Sequence, residues 1–203
     1  MLKVGLTGGV ATGKSTVADV LRQKGCEIVD ADRLGHAAID PRGPAYDAVV
    51  AEFGPQILGT GCDTGKIARP KLAAIVFGNP ERLARLNALV HPAIVELIER
   101  QCRAFLRRNP RGILVVDAAL ILEAGMKDRL QKLIVVDCDP EQQVARFVER
   151  GLGTAEEARR RIAAQMPREK KLAAADYIVD SSGTIEQTRE RAEQLYEDLR
   201  KLV

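Results

Sequence analysis

Apolar residues along the chain recur in two rhythms, a continuous one and a helical one, separated by Gly, Pro and Asp. Leu2-Lys3-Val4-Gly5-Leu6-Thr7 reads as a short buried strand. Thr16 to Lys24 sets Val17, Val20 and Leu21 on one helical face, and Gly25 supplies the stop. Cys26-Glu27-Ile28-Val29 is a second strand, ending in Asp30-Ala31-Asp32 before a helix from Arg33-Leu34. Pro41, Gly43 and Pro44 then interrupt, and helical spacing resumes at Tyr46, Val49, Val50 and Phe53. Leu58 to Lys66, with three glycines, reads as a loop or small hairpin, and Lys71 to Phe77 as a helix. Asn79-Pro80 opens a long helix that His91-Pro92 is expected to divide in two, the second part running to about Arg108. Ile113 to Asp117 and Lys132 to Asp137 are buried strands, and Asp176 to Asp180 closes the sheet as a fifth. Asp139-Pro140-Glu141 is a helix start, and Thr184 to Val203 a charged amphipathic terminal helix.

Composition narrows this only a little. The 203 residues fit one α/β domain with a small inserted lobe, and 46% hydrophobic residues suffice for a core. With aromatics at 3% and no Trp, that core rests on Leu, Ile, Val and Ala. A net charge of +3 without aromatic-plus-basic clustering argues against nucleic acid and favours a small anionic partner. Cys26, Cys62, Cys102 and Cys138 are too scattered for a zinc site or disulfide framework. No leader precedes the first strand and no apolar run approaches membrane-spanning length, so the expectation is a cytoplasmic, reduced protein with no membrane partner. The pattern sets no oligomeric state.

The chemistry concentrates between the first strand and first helix. Gly8-Gly9-Val10-Ala11-Thr12-Gly13-Lys14-Ser15 matches the phosphate-binding loop G-x-x-x-x-G-K-[ST], followed by Thr16. At ordinary glycine usage, such a match arises by chance in roughly one chain of this length in a hundred. Backbone N–H groups from Gly9 to Thr16 would wrap the phosphates of a nucleotide, Lys14 would reach the β- and γ-phosphates, and the Ser15 hydroxyl would ligate Mg²⁺.

Asp30 and Asp32 sit at alternate positions and in an extended chain share one side. If their strand lies parallel to the first, its end opens beside the loop. There Asp32 could orient an acceptor hydroxyl and take its proton; equally, it could N-cap the helix that follows. Asp117 and Asp137 both end apolar strands as a Walker B acid does, and the pattern does not choose between them. Arg146 and Arg150 share a helical face ahead of Gly151 and Gly153, and Arg159, Arg160 and Arg161 follow on a second basic helix. Such a segment could close over phosphates or simply be solvated; Arg150 stands nearest the glycines. His91 before a helix-starting proline is ambiguous.

With these residues in view, the sequence resembles the dephospho-coenzyme A kinase family of P-loop kinases, related to nucleoside monophosphate kinases, from Val4 to about Ala192. The resemblance rests on Gly5 to Gly9 leading into Gly13-Lys14-Ser15-Thr16, on Asp30-Ala31-Asp32 and on Leu86 to Pro92. Ile162 to Pro167 and Ala175 to Asp180 complete it. It implies a parallel sheet flanked by helices, with core segments 1–32, 110–145 and 174–203, a helical acceptor lobe over about 33–109 and a lid over about 146–173. It implies ATP-dependent phosphorylation of the ribose 3′-hydroxyl of dephospho-CoA, the last step of coenzyme A synthesis. Carried over by position, Asp32 is the base or hydroxyl-orienting residue, Thr7 lies beside the phosphates, Arg150 is the lid arginine and His91 falls on the acceptor side. Two departures stand out: Ala118-Ala119-Leu120-Ile121-Leu122-Glu123 stands where the family usually has Pro-Leu-Leu-Phe-Glu, losing the proline but keeping Glu123, and Asp180-Ser181 where it has Asp-Asn. The competing readings are a P-loop kinase for another small acceptor, such as a nucleoside monophosphate or sugar, and a nucleotide-binding regulator without catalysis.

Overall fold

The computed structural model describes residues 1–76 and 78–203; Phe77, which the sequence pattern assigns to the end of the helix from Lys71, lies outside the described residues. In chain order the elements are β1 (Leu2–Gly8), α1 (Lys14–Gln23), β2 (Glu27–Asp30), α2 (Ala31–Ala38), α3 (Tyr46–Phe53), α4 (Arg69–Val76) and α5 (Pro80–Arg108). There follow β3 (Ile113–Asp117), β4 (Lys132–Asp137), α6 (Pro140–Glu149), α7 (Ala155–Ala163), α8 (Arg168–Ala174), β5 (Tyr177–Asp180) and α9 (Ile185–Arg200). Residues 1–30 and 102–203 form one compact unit, and residues 31–101 a second.

The first unit holds a five-stranded sheet in the order β2-β3-β1-β4-β5, parallel throughout. Its central strands are covered on both faces, which is why β1, β3 and β4 read as unbroken apolar runs rather than alternating ones. Val4, Leu6, Val115 and Ile134 meet Val17 and Leu21 of α1 and Leu195 and Leu199 of α9 in one buried cluster. The apolar face foreseen for α1 is thus the face it buries.

One expectation about this sheet changes. β2 is parallel to β1, but β3 lies between them, so Asp30 stands about 10 Å, two strand spacings, from the loop's own strand. Ile113 to Val116 are wholly buried and claim the inner position. The shorter β2, with Glu27 and Asp30 exposed, fits the edge.

The second unit has its own core of Ala38, Val49, Phe53, Ile57, Leu72, Val76 and Leu97. The glycine-bearing segment closes as a small hairpin, with Leu58 bridging Ile67 antiparallel. Here the chain corrects a second expectation: Pro92 does not divide the long helix, and α5 runs unbroken from Pro80 to Arg108. A proline inside a helix costs roughly 3 kcal/mol. The apolar stripe continues across it, with half-buried Leu89 and Val90 before and buried Ala93, Leu97 and Ile98 after, and burying a Leu or Ile fully contributes about 1.5–3 kcal/mol.

Among the described residues the four cysteines form no disulfide, and of the four only Cys62 is exposed. Burial pushes the Cys26 thiol up to about 11. Among the described residues, no helix is long and apolar enough to cross a membrane.

Candidate functional site

The loop after β1 is shaped for an anion. Gly13 takes a left-handed conformation (φ 85°) as the N-cap of α1, and Ala11 also stands at positive φ (55°). Thr12 folds back on Gly9, its N–H and its Oγ1 donating to the Gly9 carbonyl at 3.4 and 3.0 Å. A side chain on Gly8 would sit 2.7 Å from the Val136 carbonyl, so only glycine lets β1 turn so close to β4. α6, α7 and α9 are capped by Asp139, Thr154 and Thr184, whereas α1 has no side-chain cap and no acid in its first turn. Its first N–H groups and positive dipole end are left for a ligand.

Lys14, at the start of α1, forms an ion pair with Asp117, and both side chains are mostly covered. Asp117 ends β3 directly beside Leu6 of β1, which puts its carboxylate at the sheet's carboxyl edge where the loop begins. Asp137, at the end of β4 on the other flank, is gripped by Arg168, whose Nε lies 2.8 and 3.1 Å from its two oxygens. The two aspartates that the sequence pattern left equivalent therefore have different partners: Asp117 holds the loop lysine, and Asp137 holds the start of α8. Ser15 is exposed at the helix start, Thr16 is half-buried, and the buried Thr7 hydroxyl donates to the Ala119 carbonyl at 3.1 Å.

Ser181 sits behind the loop, 1% exposed. Its hydroxyl donates to the Thr12 carbonyl at 2.6 Å, and Arg146 donates to the Ser181 carbonyl at 2.7 Å. Arg150, the C-cap of α6, is exposed just before Gly151 (φ 67°). Gly13, Thr16, Arg146, Arg150, Ser181 and Ile185 line a cavity of about 230 Å³ that opens beside the loop. The loop, Lys14, Asp117, Arg146 and Arg150 thus all belong to the unit that carries the sheet.

Asp32 and His91 belong to the second unit. α2 begins at Ala31, directly after β2, so Asp30 and Asp32 are not consecutive same-side strand positions and Asp32 is not the helix N-cap. Asp32 is instead an exposed acid in the first turn of α2, where the helix dipole favours its charge. His91 is half-buried in the middle of α5, and burial lowers its pKa below the usual histidine value.

Several contacts escaped the sequence pattern: Lys14 with Asp117, Ser181 with the Thr12 carbonyl, and Gln165 with the Val10 N–H at 3.2 Å. Only the first had a signal, an acid ending a buried strand. The others are long-range meetings of ordinary polar residues, which no local spacing announces.

The sequence pattern of the family described as Dephospho-CoA kinase matches residues 2–187. The Dephospho-CoA kinase of Geobacillus kaustophilus is 43% identical over 188 residues, spanning 93% of this chain and 92% of that protein. Among solved structures, TT1252 from Thermus thermophilus aligns with a TM-score of 0.82 at 32% identity, covering 100% of this chain and 98% of that one. The dephospho-CoA kinase from Campylobacter jejuni aligns with a TM-score of 0.73 at 26% identity, covering 98% and 97%.

Proposed function

The chain belongs to the dephospho-CoA kinase family, a family of transferases that phosphorylate dephospho-CoA, and on that premise we propose how its residues perform the reaction. ATP lies with its phosphates in the loop from Gly9 to Thr16, with Thr7 at the loop's base. Its base enters the cavity beside Gly13 and Arg146. Oxygen 3′ of the acceptor ribose attacks the γ-phosphorus; the O3′–P bond forms, the bond to the β-bridging oxygen breaks, and ADP leaves. Asp32 orients that hydroxyl and accepts its proton. Lys14, the loop N–H groups and Arg150 stabilise the charge that spreads over the transferring group. His91, neutral near pH 7, lies on the acceptor side.

The observation that carries this reading is the uncapped, acid-free start of α1 with Lys14 held over it by Asp117. A helix end with orphan donors and a covered ammonium matches a polyphosphate and little else.

The donor set also fits Mg²⁺. Ser15 and Asp117 offer a hydroxyl and a carboxylate, hard oxygens suited to a small divalent cation. Among the described residues, no group of three His, Cys, Asp or Glu could hold a metal ion by itself, so the phosphates would have to supply the other ligands. Held there, the cation would neutralise part of the charge on the phosphates.

Residues 33–109 serve in this account as the acceptor lobe and 146–173 as the lid over the core segments 1–32, 110–145 and 174–203. We place the enzyme in the cytoplasm, where its dephospho-CoA and ATP would be met. The test is an acceptor panel: purified protein with MgATP is offered dephospho-CoA, AMP, CMP and gluconate, and ADP release is followed. Dephospho-CoA should be preferred. Preference for any other acceptor overturns the reading.

A further inference from the structure

A polar chain runs along the β4 side of the phosphate loop, and apart from Val10 its residues have none of the roles above. Val10, at the loop apex, donates its N–H to Gln165 Oε1 at 3.2 Å. The same oxygen lies 3.5 Å from Nζ of Lys171. Lys171 is only 4% exposed, and its ammonium stands 3.3 Å from Glu123 Oε1. Glu123 Oε1 in turn accepts the Met166 N–H at 2.9 Å. The contacts therefore lead from the turn after β3, through the connection between α7 and α8, to the loop apex.

The apex needs such support. Ala11 follows Val10 directly and holds a left-handed conformation that a non-glycine residue adopts only under restraint. Val10 and Ala11 pack on Val144, Phe147 and Ala158, which fixes one side of the apex, but apolar contact alone does not fix the rotation of the apex peptide. Gln165 does. Two donors, the Val10 amide and the Lys171 ammonium, converge on it, so its oxygen rather than its NH₂ must face the loop. A carboxamide also accepts without a formal charge, whereas a carboxylate there would oppose the phosphates.

We propose that Gln165 is a positioning residue for nucleotide binding. Its oxygen takes the Val10 N–H and so holds the strained apex at Ala11 in the shape that turns the remaining loop N–H groups to the phosphates, while Lys171, itself fixed by Glu123, holds Gln165 in register. This rests on the reading of the loop as an ATP site.

The test compares wild type, Q165L, K171M and the double variant, reading Kd and KM for ATP, KM for dephospho-CoA, kcat and thermal midpoint. Q165L keeps a side chain of similar bulk and removes the acceptor oxygen together with the carboxamide NH₂. It should weaken ATP about three- to tenfold, the effect of one hydrogen bond, while KM for dephospho-CoA and the midpoint hold. K171M should act in the same direction, and the double variant should be no weaker for ATP than Q165L, because both act on one contact. Unchanged ATP affinity in Q165L overturns the proposal, whether or not K171M folds. So does multiplication of the two effects, or an equal loss for both substrates with a lower midpoint. Failure of the functional reading would appear in wild type, as absent transfer to dephospho-CoA; failure of this one appears only in the variant-to-wild-type ratio for ATP.

Discussion

Replacing Ser181 by alanine removes one hydroxyl from a site that is 1% exposed. That hydroxyl lies 2.6 Å from the Thr12 carbonyl and 3.1 Å from the Asp137 carbonyl, but it has one proton, and the shorter contact takes it. The Asp137 carbonyl already receives the Ser181 N–H at 2.8 Å, and Arg146 keeps its bond to the Ser181 carbonyl at 2.7 Å. The alanine variant therefore loses the tie to the phosphate loop and, beyond it, only the longer bond that the hydroxyl accepts from Arg146 Nη1 at 3.4 Å. Withdrawing the donor from a buried carbonyl costs about 2 kcal/mol. For a chain of this length that lowers the thermal midpoint by about 4–8 °C. Because the lost partner is the loop carbonyl next to Gly13, KM for ATP should rise while KM for dephospho-CoA holds. Circular-dichroism melts and steady-state kinetics check both. A midpoint within about 1 °C of wild type with unchanged KM for ATP would refute the reasoning.

Asp32→Ala should lower turnover on the order of a hundredfold, the scale of a lost general base, and leave ATP affinity nearly intact. Steady-state rates with an independent ATP-binding measurement check this, and unchanged turnover removes Asp32 from the mechanism. For His91, burial lowers the pKa from its ordinary 6.5, so the unfolded chain binds that proton more readily than the folded one. The stability this neutral imidazole contributes is complete above pH 6.5 and is lost as pH falls through that value toward the folded pKa. An NMR titration of the His91 ring should give a midpoint below 6.5, and His91→Gln should flatten the acid-side stability slope; a midpoint at or above 6.5 contradicts the burial argument.

The parts of the fold legible in the sequence are those fixed by local chemistry. The runs Ile113 to Asp117 and Lys132 to Asp137 are strands to the residue, because glycine or a polar turn bounds a fully buried apolar run at each end. The loop from Gly8 to Ser15 was legible because its glycines, lysine and hydroxyl are each demanded by one ligand. What stayed hidden depends on distant partners. Pro92 carries a local signal for a break, yet the apolar stripe of α5 outweighs it. The slot of β3 between β2 and β1 follows from which strand is apolar enough for the interior, a comparison between strands and not a property of either. Asp117 and Asp137 look alike until Lys14 and Arg168 choose between them. Ser181 and Gln165 meet the loop from 169 and 155 residues away, and nothing near them in the chain foretells it.

The central claim is that this site moves a phosphoryl group from ATP to one particular hydroxyl. Phosphorus NMR of a reaction with MgATP and dephospho-CoA tests it directly. The account predicts ADP together with a new phosphomonoester resonance coupled to the ribose 3′ proton. A monoester at the 2′ position, or ADP and inorganic phosphate with the acceptor untouched, would contradict it.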